Sequence, residues 1–140
     1  GIDLAQDFAK YTGNGVTRIY NTLESDNLLY TTDLPEPGDI VFWDNTYDRN
    51  EDGKWNDTLT HVGVVVSAKN NGQIEYVHCN YRTGIVAEHM NLQEPDTVTK
   101  DVAGKTVRVN SAMRMKGQVV NAKWLSSHLV RNFGKGYLLD

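Results

Sequence analysis

A single cysteine, Cys79, occurs in 140 residues, so an internal disulfide is excluded and the redox compartment stays open. Runs of lysine or arginine are absent and the formal net charge is −4. That balance excludes a dedicated nucleic-acid binder, whose phosphate contacts need clustered cations. Long hydrophobic runs are absent as well. The longest covers residues 62–66, Gly63 included, far below the roughly 20 residues that span a bilayer. There is no internal repeat and no low-complexity tract. The chain opens on Gly1-Ile2-Asp3-Leu4, as a mature or excised domain would, so its start says little about compartment. What is present is one ordinary domain's worth of chain, residues 1–140, with 39% apolar residues to build a single core.

The first third has helical periodicity. Leu4, Phe8 and Tyr11 share a face, and Gly13-Asn14-Gly15 ends that segment. Residues 17–29 read as a second helix with Thr17 as N-cap and Ile19, Tyr20, Leu23 and Leu28 on its apolar side. The middle is β. Pro35-Glu36-Pro37-Gly38 makes a turn that launches a strand over residues 39–44. Residues 60–68 form a valine-dense strand, Asn70-Asn71-Gly72 signals a hairpin, and residues 74–80 are its partner. Residues 84–89 and 107–115 are further strands. Residues 123–133 read as a closing helix, with Trp124, Leu125, His128 and Leu129 near one stripe and Gly134 at its stop. Helices, a meandering antiparallel sheet and a closing helix together predict an α+β domain.

Two histidines stand out on the predicted hairpin. Strand alternation puts His61, Gly63 and Val65 on one face, and Ile74, Tyr76 and His78 share a face of the next strand. His61 opens its strand and His78 lies near the end of its partner, so the turn brings both imidazoles to one end of the sheet. Two such rings within contact serve as a base and an orienting residue, the second fixing the tautomer of the first. Gly63 leaves room on that face for another chain element or a substrate. His89 and His128 match no motif and read as surface or packing residues.

Pro37-Gly38-Asp39-Ile40-Val41-Phe42-Trp43, followed by His61-Val62-Gly63-Val64-Val65 and Tyr76-Val77-His78, resembles the signatures of the NlpC/P60 and related CHAP-type cell-wall peptidases. The resemblance implies a papain-like fold with a central antiparallel sheet, N-terminal helices and a C-terminal helix. It also implies hydrolysis of amide bonds in peptidoglycan peptides by a cysteine at a helix N-terminus, in the bacterial cell envelope, periplasmic or secreted. By this resemblance His61 is the general base and His78 its orienting partner.

The nucleophile the resemblance calls for is not evident, because no cysteine precedes Asp39. Two explanations stand. In one, residues 4–9 are the nucleophile helix, Ala5 occupies the cysteine position, and the chain is inert, since alanine cannot attack a carbonyl. In the other, the cysteine helix lies before Gly1 and is supplied by a further segment or partner chain, and Gly1-Ile2-Asp3-Leu4 resembles the junction that follows it. The second fits that junction better. Cys79 is a poor substitute: it adjoins His78 on one strand, so the two side chains leave on opposite faces, and a free cysteine is usually a small buried hydrophobe.

Residues 48–57 carry one more pattern. Asp48, Asn50, Asp52 and Gly53 match D-x-[DN]-x-[DN]-G, the first half of an EF-hand-type loop. Alternate oxygen-bearing side chains converge on a hard cation there, with the Lys54 carbonyl as the next ligand. The twelfth position is Leu59, which offers no carboxylate, and Asp57 closes the set instead. The expectation is a structural Ca2+ bracing the start of the His61 strand; a plain polar turn is the alternative, since Asp, Asn and Gly favour turns in any case. Three functions remain open: a cysteine peptidase, a cell-wall-binding pseudoenzyme with Trp43, Tyr47 and Trp55 as contact aromatics, and a calcium-dependent structural or adhesion domain.

Overall fold

The structure is a computed structural model that describes residues 14–47, 51–54, 56–80, 83–114 and 123–138. The expected first helix, with Ala5, lies outside the described residues, as do Asp48, Asn50 and Trp55.

Helix α1 spans Asn14–Ser25, starting three residues before the Thr17 expected as its cap. Val16, Ile19, Tyr20 and Leu23 are buried along one side while Thr17, Arg18, Asn21 and Thr22 are exposed, the stripe a 3.6-residue period produces. The helix ends before Leu29 because Asn27 turns left-handed at φ 56°. The Asn27 and Leu28 amides then close back onto the Glu24 and Leu23 carbonyls at 3.1 and 2.9 Å. That frees Leu29–Tyr30 to become strand β1.

Strands β2 (Ile40–Trp43), β3 (His61–Ala68), β4 (Gln73–Asn80) and β5 (Gly84–Asn91) run as an antiparallel meander. The expected Asn70-Asn71-Gly72 turn joins β3 to β4, with Gly72 at φ 91°. A separate ribbon pairs β6 (Thr99–Val102) with β7 (Lys105–Arg108). The strand expected over residues 107–115 therefore stops at Arg108; beyond it, among the described residues, Ala112 makes an isolated bridge to Leu125.

The expected C-terminal helix over residues 123–133 is corrected. Only Ser126–Leu129 is helical (α2), and Val130–Gly134 is strand β8, followed by a 3₁₀ turn at Gly136–Leu138. β8 enters the sheet between β1 and β2, giving the order β1-β8-β2-β3-β4-β5. The physical reason lies in β2. Ile40, Val41, Phe42 and Trp43 are all at most 2% exposed, so this strand is covered on both faces and needs a backbone partner on both edges. β3 supplies one and β8 the other.

The sheet has two buried faces, and the domain is α+β. On one face Ile40, Phe42, Val62 and Val64 pack against the apolar stripe of α1. On the other Val41, Trp43, Val65, Ile74, Tyr76 and Met90 pack with Leu129 and Phe133. The Pro-Gly-Asp segment pins the start of β2. Asp39 is fully buried and accepts the Glu36 amide at 2.9 Å and the Tyr30 hydroxyl. The Gly38 amide donates to the Val65 carbonyl and the Val65 amide to that of Asp39, both at 2.8 Å. This knot sits at the end of β2 opposite Trp43, which pairs with His61. No helix among the described residues is long and apolar enough to cross a membrane.

Candidate active site

Register builds the site. Trp43 lies opposite His61 and Gly63 opposite His78, so His61 and His78 are diagonal neighbours on the Trp43 face. Their rings meet edge to face with centroids 5.0 Å apart, and His61 Nε2 is 2.7 Å from His78 Nδ1. One of these nitrogens carries the shared hydrogen. His78 is 5% exposed, whereas His61 is half-buried at the edge of open space.

The support beneath the pair is aromatic. Trp43 lies 5.6 Å from His61 and 5.0 Å from Tyr76, ring centre to ring centre. Its indole N–H donates to the Ser126 carbonyl at 3.0 Å, which locks the ring. Gly63 is what lets it lie there: a Cβ at that position would be 2.8 Å from the Val77 carbonyl oxygen and 3.0 Å from the Trp43 ring. The space on the His61 face is thus taken by a chain element, the Trp43 ring. Trp43 is also fully buried, which removes it from the expected contact aromatics. Tyr47, 47% exposed, keeps that standing.

A cleft of about 540 Å³ opens over the pair, with Thr46, Tyr47, Thr60, His61, His78, Asn80 and Met113 around it. Burial, followed by the neighbouring His78, lowers the pKa of His61 to about 3, so its ring is neutral at physiological pH. Burial likewise raises the Tyr76 hydroxyl. At the back of the site the Tyr76 hydroxyl lies beside Ser126, and His78 Nε2 is buried with no hydrogen-bond partner. The Glu88 carboxylate stands 3.7 Å from that nitrogen.

Cys79 also borders the cleft, yet its side chain leaves β4 on the other face and packs against the α1 core. His89 is half-buried on β5. His128 has a structural role: its Nδ1 accepts the Trp124 and Leu125 amides at 3.3 Å and its Nε2 meets Asp96 at 2.8 Å.

The loop between β2 and β3 is closed at its base by hydrogen bonds. Asn45 and Asp57 exchange two hydrogen bonds at 2.8 and 2.9 Å, and the Leu59 amide donates to Asp44 at 2.8 Å. The Thr60 hydroxyl accepts from the Thr46 amide and hydroxyl at 2.9 and 2.8 Å. At its tip Asp52 accepts the Lys54 amide at 2.9 Å and Gly53 takes φ 74°, the sharp turn an oxygen-ligand loop needs. Among the described residues no group of three or more His, Cys, Asp or Glu is placed to hold a metal. Of the expected ligands, Asp52, Lys54 and Asp57 are described, and Asp48 and Asn50 are not.

Sequence reasoning missed Glu88, Thr46, Asn80 and Met113. Glu88 had a signal. If Asn80 pairs with Gly84, alternation carries Val86 opposite His78 and Glu88 opposite Tyr76, the pairing observed. Thr46 and Met113 reach the cleft from irregular segments, which no period marks.

A family model described as CHAP domain matches residues 3–80, more than half of the chain. The matched stretch contains both histidines and the Pro-Gly-Asp segment. No curated protein and no solved structure matches the chain.

Proposed function

The chain belongs to the CHAP-domain family, whose general function is of peptidoglycan amidase or peptidase type, and from that premise we propose that it supplies the two-histidine half of a thiol-dependent site hydrolysing amide bonds in peptidoglycan peptides. The observation that carries the reading is the 2.7 Å contact between His61 Nε2 and His78 Nδ1 at the floor of an open cleft. With the His61 Nε2–H donating to His78, His61 Nδ1 keeps its lone pair and faces the task of a general base. It takes a thiol proton, and the thiolate forms a C–S bond to the amide carbon. The C–N bond then breaks as His61 returns the proton to the leaving amine, and water hydrolyses the thioester to a carboxylate and the free thiol. His61 is neutral before the thiol arrives, as the step requires. The sheet, with helical cover on one side and its histidines at one end, is compatible with a papain-like arrangement, which belongs to the same proposal.

The nucleophile in this reading is a cysteine outside Gly1–Asp140, or one lost at Ala5; the packing of Cys79 against α1 argues against that residue. The site of action proposed with it is the bacterial cell envelope, periplasmic or secreted. Ca2+, held by Asp48, Asn50, Asp52, the Lys54 carbonyl and Asp57, is proposed as a structural ion for the β2–β3 loop, supported by the sequence pattern and the Gly53 turn. The test is turnover of purified muropeptides by two proteins, the full-length natural gene product and a chain carrying Ala5→Cys. At least one should release amine in a reaction that thiol alkylation stops. Two folded, inert proteins that still pull down peptidoglycan would replace the peptidase reading with a binding module.

A further inference from the structure

His78 presents a question that the proposed function leaves open: what decides which of its nitrogens carries the hydrogen. Its Nδ1 faces His61 Nε2 at 2.7 Å. Its Nε2 points inward, buried and without a partner within hydrogen-bond distance. An acceptor stands just beyond, Glu88 Oε2 at 3.7 Å. Glu88 lies on β5 directly opposite Tyr76, on the face of the sheet that carries His78. The Tyr76 hydroxyl is buried beside them, with Ser126 as its side-chain neighbour and the Glu88 charge within reach. An unpartnered imidazole nitrogen and a half-buried carboxylate thus converge behind the histidine pair, beside the Tyr76 hydroxyl. Buried polar atoms are paired in stable proteins, so this gap is closed either by a movement of the Glu88 side chain of under about one ångström or by a water bridging the three groups.

We propose that Glu88 is a positioning residue that fixes His78 in the Nε2–H tautomer and, through it, leaves His61 Nδ1 unprotonated. An ionised carboxylate only accepts hydrogen bonds, so the imidazole nitrogen aimed at it must be the one that carries hydrogen. His78 Nδ1 is then bare and accepts from His61 Nε2–H, and His61 Nδ1 is the free base. The opposite tautomer would aim a lone pair at the carboxylate and leave a hydrogen on His61 Nδ1, where a thiol proton has to be received. Glu88 takes no proton itself and touches no substrate. The inference deepens the peptidase reading and rests on it for its consequence, although the tautomer is measurable without turnover.

The experiment is ¹⁵N NMR of the imidazole rings in the labelled 140-residue chain, in wild type, Glu88→Gln and Glu88→Ala. Wild type should show His78 with Nε2 protonated and Nδ1 bare. Glu88→Gln, whose amide oxygen still accepts, should keep that pattern. Glu88→Ala should lower the ratio of the two His78 tautomers about tenfold. A wild-type His78 protonated on Nδ1 would overturn the proposal, and this result requires no variant to fold. So would a folded Glu88→Ala with His78 shifts unchanged. Failure of the peptidase reading looks different: His61 would prove dispensable for hydrolysis while the tautomer remained as described.

Discussion

His61 and His78 sit in one contact but in different environments, and that difference has consequences at the scale of single residues. Both border the cleft, but His78 is buried at 5% exposure while His61 is half-buried. Burial and the adjacent ring hold His61 at about 3, against an ordinary 6.5. Between those values the unfolded chain binds a proton that the folded chain refuses. His61 therefore favours the folded state fully above about pH 6.5, and that contribution is lost as pH falls toward 3. The expected slope attributable to this residue is up to about 1.4 kcal/mol per pH unit. Urea unfolding across this window should show His61→Gln with a shallower acid loss of stability than wild type. Parallel curves would mean that His61 titrates normally in the folded chain. Both histidines were legible in the sequence because a two-residue period fixes the face and one hairpin fixes the end. Their 2.7 Å contact was not, since it depends on how the Trp43 ring props them.

At the scale of elements, β3 works because one of its residues has no side chain. Gly63 lies between the Val77 carbonyl and the Trp43 ring, with no space for a methyl group. Gly63→Ala should cost about 1–3 kcal/mol by overpacking, read as a lower urea midpoint at unchanged slope, and should shift the histidine resonances as Trp43 moves. A variant as stable as wild type would show that the β2–β3 pairing tolerates the displacement. The β2–β3 loop carries its own expectation. If Ca2+ binds it, a hundredfold excess over the dissociation constant stabilises the fold by about 2.7 kcal/mol. Calorimetry should then show a higher Tm with Ca2+ and a loss of that gain in Asp52→Ala; no change at millimolar Ca2+ would leave the loop a turn closed by Asn45, Asp57 and Thr60. The meander β2–β5 was readable from local alternation and one Asn-Gly turn. β8 was not. Trp124, Leu125, His128 and Leu129 imitate a helical stripe, and the partners that make Val130–Gly134 a strand lie about a hundred residues earlier, at Leu29–Tyr30 and Ile40–Trp43. No local period encodes such pairing.

Across the whole molecule, the sheet separates support from chemistry. The Pro-Gly-Asp knot with Tyr30 fastens one end of β2, and the histidines, the cleft and the base of the β2–β3 loop occupy the other. α1 covers the face away from the histidines and takes Cys79 with it. In the proposed reading His61 and His78 act on a substrate amide as base and orienting partner, Glu88 positions them from behind without touching substrate, and a thiol from elsewhere completes the cleft. The family was legible from the order of three short motifs; the nucleophile was not, because no residue of the required type stands where the motif places it. The most direct measurement is peptide release from purified peptidoglycan by the full-length natural gene product, comparing wild type with His61→Ala. Release should be stopped by a thiol alkylator and lowered by about 10²–10⁴-fold in a folded His61→Ala protein, with peptidoglycan binding retained. Release that survives both treatments, or no release from the folded wild type, would contradict a thiol hydrolase built on this histidine pair.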